Sequence, residues 1–340
     1  MSDIFSAAKK GVSHGVALGA DQVEVYVVKQ QLTRVSVRKA HVIGGDVVEM
    51  GGAGVRVYID GALGVAATSR LGEIKGAVER AYQLAKGTIG DPDFKSLPGP
   101  SGYGTVEGLY DEELANVPFE ELTEGFMEGV TAASGDGELT VSGGLTRGIG
   151  EVAVVNSLGV ECQIRGTSIG GSIGTKAERG EDVAMGRGSI IGRNLREFKP
   201  VEAGMEAAEK ARARLGARKV STGTMDLILD FRSARGSIAG VLGTGVNGLS
   251  VALGNSFLSD NIEDGGLNAR TSSTNISSMV NSGHYIEDGE VVHPVKNTMV
   301  GTTVFEFLRN VEGLSREVLL EGGSSSPALK LKEIKVSGGR

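Results

Sequence analysis

The sequence predicts an α+β fold: an N-terminal α+β domain with an antiparallel meander, followed by a Gly-rich, β-dominated C-terminal domain with a few helices. Three observations carry the prediction. Apolar residues alternate at period two along much of the chain, stretches with helical spacing are few and separated, and 54 of the 340 residues are glycine. Glycine usually makes up about 7% of a chain, so roughly twice that share is present without a collagen repeat. Such an excess points to turns, bulges and thin strands that pack through small residues.

Residues 3 to 19 set Ile4, Ala7, Ala8, Val12, Val16 and Leu18 at helical spacing, and Gly19 stops the run. The period then changes to two. Val23, Val25 and Val27 alternate with Glu24, Tyr26 and Val28, and Leu32, Val35 and Val37 follow. Residues 51 to 70, GGAGVRVYIDGALGVAATSR, read as a β-hairpin turning at Asp60-Gly61. With Ser69 as N-cap, Leu71, Ile74, Ala77, Val78, Ala81 and Ala85 form one helical face that ends at Gly87. Residues 88 to 104 hold three of the seven prolines and break every period, which makes them the linker. The expected division is therefore an N-terminal domain over 1–90, a Pro/Gly linker over 91–104 and a β-rich C-terminal domain over 105–340. Within the last, Pro118 opens a helix at about 118–133, and residues 137–192 alternate as a second sheet (Val152, Val154; Val160, Cys162, Ile164). The stretch PVEAGMEAAEKARARLG is a helix with Pro200 at its start and Gly216 at its end. TMDLILDF is an apolar strand, and RSARGSIAGVLGTGVNG, residues 232–248, is a helix-like segment of small residues.

Composition narrows the function. A net charge of -7 and a pI near 5.4 disfavour a protein that tracks nucleic-acid phosphates, which needs clustered Lys and Arg. The single cysteine, Cys162, has no internal disulfide partner. No N-terminal run has the basic, apolar and cleavage segments of a signal peptide, and no stretch nears the roughly 18 apolar residues of a membrane span. A soluble, cytoplasmic protein with no membrane partner is the expectation.

Candidate chemistry is sparse. A dinucleotide loop needs G-x-G-x-x-G between a strand and a helix, but Gly52 and Gly54 precede a strand, and GVLGTGVNG lacks the G-K-[ST] ending of a P-loop. Both read as turn and packing glycines. The four histidines are His14, His41, His284 and His293, and no H-E-x-x-H occurs. His284 and His293 flank YIEDGEVV, a hairpin turning at Asp288-Gly289, and are placed to face one another across it. They are the polar candidates for peptide binding or, less simply, for a metal. Cys162 sits on an alternating strand as a small hydrophobe, and EGGSSSP reads as a loop without a G-x-S-x-G nucleophile. Arg212, Arg214, Arg218 and Lys219 read as a solvated helix C-terminus. No catalytic residue is visible.

The hairpin GGAGVRVYIDGALGVAATS is followed by VVNSLGVECQIRGT, EAAEKARARLGARKVSTGTMDLILDF, GNSFLSDNI, GHYIEDGEVVHPVKNTMVGTTVFEFL and SSSPALKLKEIKVSGG. In this order, and over nearly the whole chain, they resemble the TldD/PmbA family, the modulators of DNA gyrase. The resemblance implies a protease of two related subunits. A TldD-like subunit carries zinc through a helical His-Glu-x-x-x-His and a distant cysteine, and a PmbA-like (TldE) subunit lacks them. Zinc hydrolysis needs those ligands and a carboxylate to activate the bound water. Matched by its glycines, this chain has Ala239, Gly240 and Thr244 at the His, Glu and His places, and GGSSSP without cysteine. The resemblance thus implies a PmbA/TldE-like subunit that binds no zinc itself, with zinc in a TldD-like partner. Between SFLSDNIEDGG and ARTSSTN a long family segment is nearly absent, so the C-terminal region is shortened.

The implied function is a non-catalytic subunit of a zinc metalloprotease that degrades or processes small peptides and unfolded segments. The partner is a TldD-like chain in a heterodimer, or a second copy in a homodimer. The alternatives are a self-sufficient peptidase and a homodimeric binding module that has lost hydrolysis.

Overall fold

The computed structural model describes residues 4–135, 137–237, 247–254, 256, 275–280, 283–321 and 324–338. The chain divides into two compact units, residues 1–175 with 187–208, and residues 176–186 with 209–340.

One six-stranded sheet holds β1 (Gln22–Arg38), β2 (His41–Ile59), β3 (Ala62–Thr68), β4 (Thr140–Asn156), β5 (Glu161–Arg179) and β6 (Asp182–Gly192), in the order β3-β2-β1-β4-β5-β6, and all of it but residues 176–186 belongs to the first unit. The expected meander is β1-β2-β3. Its strands are longer than the apolar alternation suggests: β1 runs unbroken through Lys29, Gln30 and Gln31, paired on both sides. Tight turns join them, with positive φ at Lys39 and Ala40 and at Asp60 and Gly61, the backbone that matches strand twist. The 51–70 hairpin is confirmed, and Gly51 to Gly54 lie inside β2.

The strands after residue 137 do not form a second sheet. β4 pairs antiparallel with β1, Val25 opposite Val155 and Val35 opposite Leu145, so one sheet continues. Alternation gives the two faces of a strand but not its neighbour. Residues 91–104 accordingly lie within the first unit. Phe94 stacks on Tyr58 at 3.8 Å, the Leu97 amide donates to Gln22 Oε1 at 2.7 Å, and Asn156 Nδ2 donates to the Pro98 carbonyl at 2.8 Å.

Helices α1 (Ile4–Ala17), α2 (Ile74–Lys86), α3 (Glu112–Asn116), α4 (Phe119–Ser134) and α5 (Pro200–Ala213) pack on one face. Ser69 does not cap α2. The Thr68 hydroxyl accepts from the Arg70 amide at 3.1 Å, residues 71–73 form a 3₁₀ turn, and the α-helix starts at Ile74. Val23, Val25 and Val27 of β1 enter a core with α1 and α2, whereas Val35 and Val37 of the same strand enter a second core with α3, α4 and α5. Arg147 lies beside the second. It is 7% exposed, sits opposite Thr33 in the ladder, and donates to Thr33 Oγ1 and the Val117 carbonyl, each at 2.7 Å. Burial pushes its guanidinium pKa down. No carboxylate pairs with it among the described residues. Arg147→Met is expected to cost about 2–3 kcal/mol, because the Val117 carbonyl and Thr33 hydroxyl lose their donor in a dry site. The midpoint of chemical denaturation checks this; an unchanged midpoint refutes it.

The second unit holds a five-stranded sheet of β7 (Gly223–Leu229), β8 (Asn275–Met279), β11 (Thr298–Thr303), β12 (Val311–Glu321) and β13 (Ser324–Gly338). β13 is its axis, pairing with β12, β11 and β7. A separate hairpin joins β9 (His284–Glu287) to β10 (Glu290–Pro294). Helical residues 231–237, α6 (Gly248–Ala252) and α7 (Val304–Arg309) complete it, the last started by a Thr303/Glu306 capping box. Its core is Ala234, Phe307, Leu329, Leu331 and Ile334. Arg214 is not simply solvated: it donates to the Met185 carbonyl, and burial lowers its pKa. No described helix is long and apolar enough to cross a membrane.

Candidate functional site

In the second unit, residues 231–237 follow β7 as a helical stretch. Asp230 starts it, its carboxylate accepting from the Ser233 amide at 2.7 Å and its carbonyl from the Ala234 amide at 2.8 Å. Ala234 is fully buried, and Arg232 and Arg235, three apart, reach the same group. That group is Glu321, the last residue of β12. Arg232 Nε lies 3.2 Å from both carboxylate oxygens and Nη2 lies 2.8 Å from Oε1; Arg235 Nη2 reaches Oε2 at 3.2 Å and Nη1 the Glu321 carbonyl at 3.2 Å. The Glu321 side chain is only 11% exposed. Arg232, then Arg235, hold its carboxyl below the usual carboxylate range against the opposing effect of burial.

The cluster ties two segments more than eighty residues apart in sequence. One leads into the stretch where the family resemblance sets its zinc-binding helix; the other is the end of β12, next in sequence to the GGSSSP run where it sets the cysteine. Ala239, Gly240 and Thr244 lie outside the described residues. The serines of EGGSSSP are not in a loop: Glu321 pairs with Ser324 and Leu319 with Ser326, so they belong to β13. Zinc requires imidazole, thiolate or free carboxylate ligands. What converges here is two guanidinium groups and the one carboxylate that both engage. A dication is repelled by the guanidinium pair, and this donor set does not fit zinc. Among the described residues no group of three His, Cys, Asp or Glu is placed to hold a metal.

The β9–β10 hairpin turns at Asp288 and Gly289, both at positive φ. A register shift between Val291 and His293 sets His284 opposite Pro294 and His293 opposite Tyr285, so the two imidazoles are not cross-strand neighbours. His293 stacks on Tyr285 at 5.3 Å, while His284 is exposed. Cys162 is half-buried beside Tyr103, whose hydroxyl pKa the thiol raises through a hydrogen bond. His14 bonds Glu79 at 2.8 Å.

A second feature belongs to the first unit. The sheet face opposite its helices carries Tyr26, Met50 and Val65, all exposed, between Gly52, Gly54, Gly148 and Gly150. A depression of about 310 Å³ lies there, with Tyr26, Gly54, Val65 and Val154 in its lining and the Glu24–Arg56 ion pair at one end. The Glu321 cluster is not legible in the sequence because its partners are remote; the only local sign is an Arg pair at i, i+3 in an otherwise small-residue run.

The fold is that of an α+β protein with antiparallel sheets and a β-rich C-terminal region. The chain belongs to the PmbA/TldD family. Residues 23–85 match PmbA/TldA metallopeptidase domain 1, residues 112–215 the central domain, and residues 263–338 the C-terminal domain. Three solved structures share the fold. One from Thermotoga maritima, carrying the name of a DNA gyrase modulator, has a TM-score of 0.82 at 12% identity and covers 98% of this chain and 99% of its own. One from Bacteroides thetaiotaomicron, similarly named, has 0.81 at 16% and covers 98% of each chain. TldE from Thermococcus kodakarensis has 0.79 at 16%, covering 98% of this chain and all of its own. At these identities the likeness is one of fold. Among curated protein sequences no match was found. The short junction between SFLSDNIEDGG and ARTSSTN falls outside the described residues.

Proposed function

We propose that this chain is the non-catalytic, TldE-like subunit of a two-subunit metallopeptidase acting on small peptides and unfolded segments. It pairs with a zinc-bearing TldD-like chain and supplies walls and strand edges to the enclosed space. The observation that carries this reading is the chemistry around Glu321: a guanidinium pair closes on one carboxylate, next in sequence to the stretches where, by the resemblance, a catalytic subunit holds imidazole and thiolate. The Gly-rich open face of the first sheet supports the role of a wall, since an extended peptide lies flat where side chains are small. β3 and β6 end that sheet, and an added strand gains main-chain hydrogen bonds without sequence selectivity. His284 and His293, on the exposed hairpin, are the polar candidates for peptide contact.

The test measures metal content and peptide cleavage on the isolated chain and on the chain copurified with a TldD-like partner. Zinc and cleavage are expected only in the mixture, with a shift of mass to the heterodimer. Stoichiometric zinc with cleavage in the lone chain overturns the proposal, and so does a lack of complex between two folded chains.

A further inference from the structure

Helix α1 contains no acidic residue, although the chain as a whole carries 42 Asp and Glu against 35 Lys and Arg. Its inner face is Ile4, Ala8, Gly11, Val12 and Gly15. Its outer face sets Ser6, Lys9, Lys10, Ser13 and His14 at i, i+3, i+4, i+7 and i+8, a single stripe of hydrogen-bond donors. Gly11 brings α2 against this helix: a Cβ there would stand 2.7 Å from Ile74 Cγ2. The close approach at Ile74 carries the next residue, Lys75, to the stripe. Together these six residues line a surface depression of about 380 Å³.

Two carboxylates touch this lining. Glu161 pairs with Lys9 at 2.7 Å, where Lys9 also lies 4.9 Å above the Phe5 ring, and Glu79 pairs with His14 at 2.8 Å. Lys10 and Lys75 have no ion pair among the described residues. The geometry points to a binding site for a compact polyphosphate anion in this depression, with Lys10 and Lys75 as its unneutralised cations and Ser6 and Ser13 as hydroxyl donors. Point-charge ammonium groups with hydroxyls suit the many oxygens of phosphate. The lining has no arginine fork for a planar carboxylate and no aromatic face for a nucleobase. The volume is in the range of small-molecule sites and leaves room for more than one phosphoryl group. This inference stands apart from the subunit reading above.

Tripolyphosphate titrated calorimetrically into the full chain at low ionic strength is expected to show saturable one-site binding. Affinity should fall about tenfold in the double variant Lys10→Gln/Lys75→Gln and weaken with added salt. The charge-matched control Lys95→Gln/Lys219→Gln should bind as the parent does, and all three proteins should melt alike without ligand. An absence of saturable binding overturns the site. So does an equal loss in the control, or sulfate binding as tightly as tripolyphosphate at matched ionic strength.

Discussion

Replacing Gly188 with alanine is expected to destabilise the first unit by about 3 kcal/mol, the upper end of the cost of overpacking. Gly188 is on β6 where α5 crosses it, and a Cβ there would lie 1.8 Å from the Ala203 carbonyl oxygen, 2.6 Å from its carbon and 2.8 Å from its Cα. Every obstructing atom is backbone, so no rotamer change relieves the clash and the helix itself must lift. The same helix meets α4 through Gly204, whose Cβ would stand 2.0 Å from the Gly129 carbonyl. Gly54 is the matched control. It lies in β2 on the open face with nothing within 4 Å of its Cβ position, so Gly54→Ala should be neutral or stabilise by up to about 1 kcal/mol through the unfolded chain. Denaturation midpoints of the two variants decide the matter; similar midpoints would mean α5 is not seated on β6 as described.

Removing the carboxylate of Glu321 is expected to cost about 3 kcal/mol at neutral pH, because two guanidinium groups lose their shared partner. The arginines are 34% and 28% exposed, which keeps the figure at the low end for a broken ion cluster. The pH dependence has a definite sign. Glu321 has a folded pKa below its unfolded value, first through Arg232. Its contribution is therefore fully present above the unfolded carboxylate value of about 4.3 and is lost as pH falls through the lower folded pKa. Hydrogen exchange at the amides of β12 and β13 reads the result. In the parent, protection should decline over that acid interval; in Glu321→Gln it should start lower and change less there. Parallel acid profiles would show that the cluster does not hold the β12 end to residues 231–237.

Much of this was legible along the chain because the information is local. Alternating valines in 23–27, paired Asp-Gly turns at 60–61 and 288–289, and Pro200 at a helix start are each set by a few neighbouring residues. The α2 start is not legible locally: Ser69 has the residue type of an N-cap, but a threonine hydroxyl one residue earlier satisfies the Arg70 amide and the chain makes a 3₁₀ turn first. The β9–β10 register was also closed to local reading: one unpaired residue between Val291 and His293 is enough to take His293 away from His284.

The sequence by itself determined the α+β class, the strand and helix periodicities, the family, and the residue types Ala239, Gly240 and Thr244 at the places where zinc ligands are expected by resemblance. These depend on the order of side chains and on backbone preferences acting over a few residues. Tertiary structure alone decided that β4 extends the first sheet by pairing with β1, that Arg147 meets Thr33, and that Arg232 and Arg235 close on Glu321. Each joins segments separated by tens of residues. The free energy that selects such a pairing comes from burial and desolvation of both members together, and neither member signals it alone.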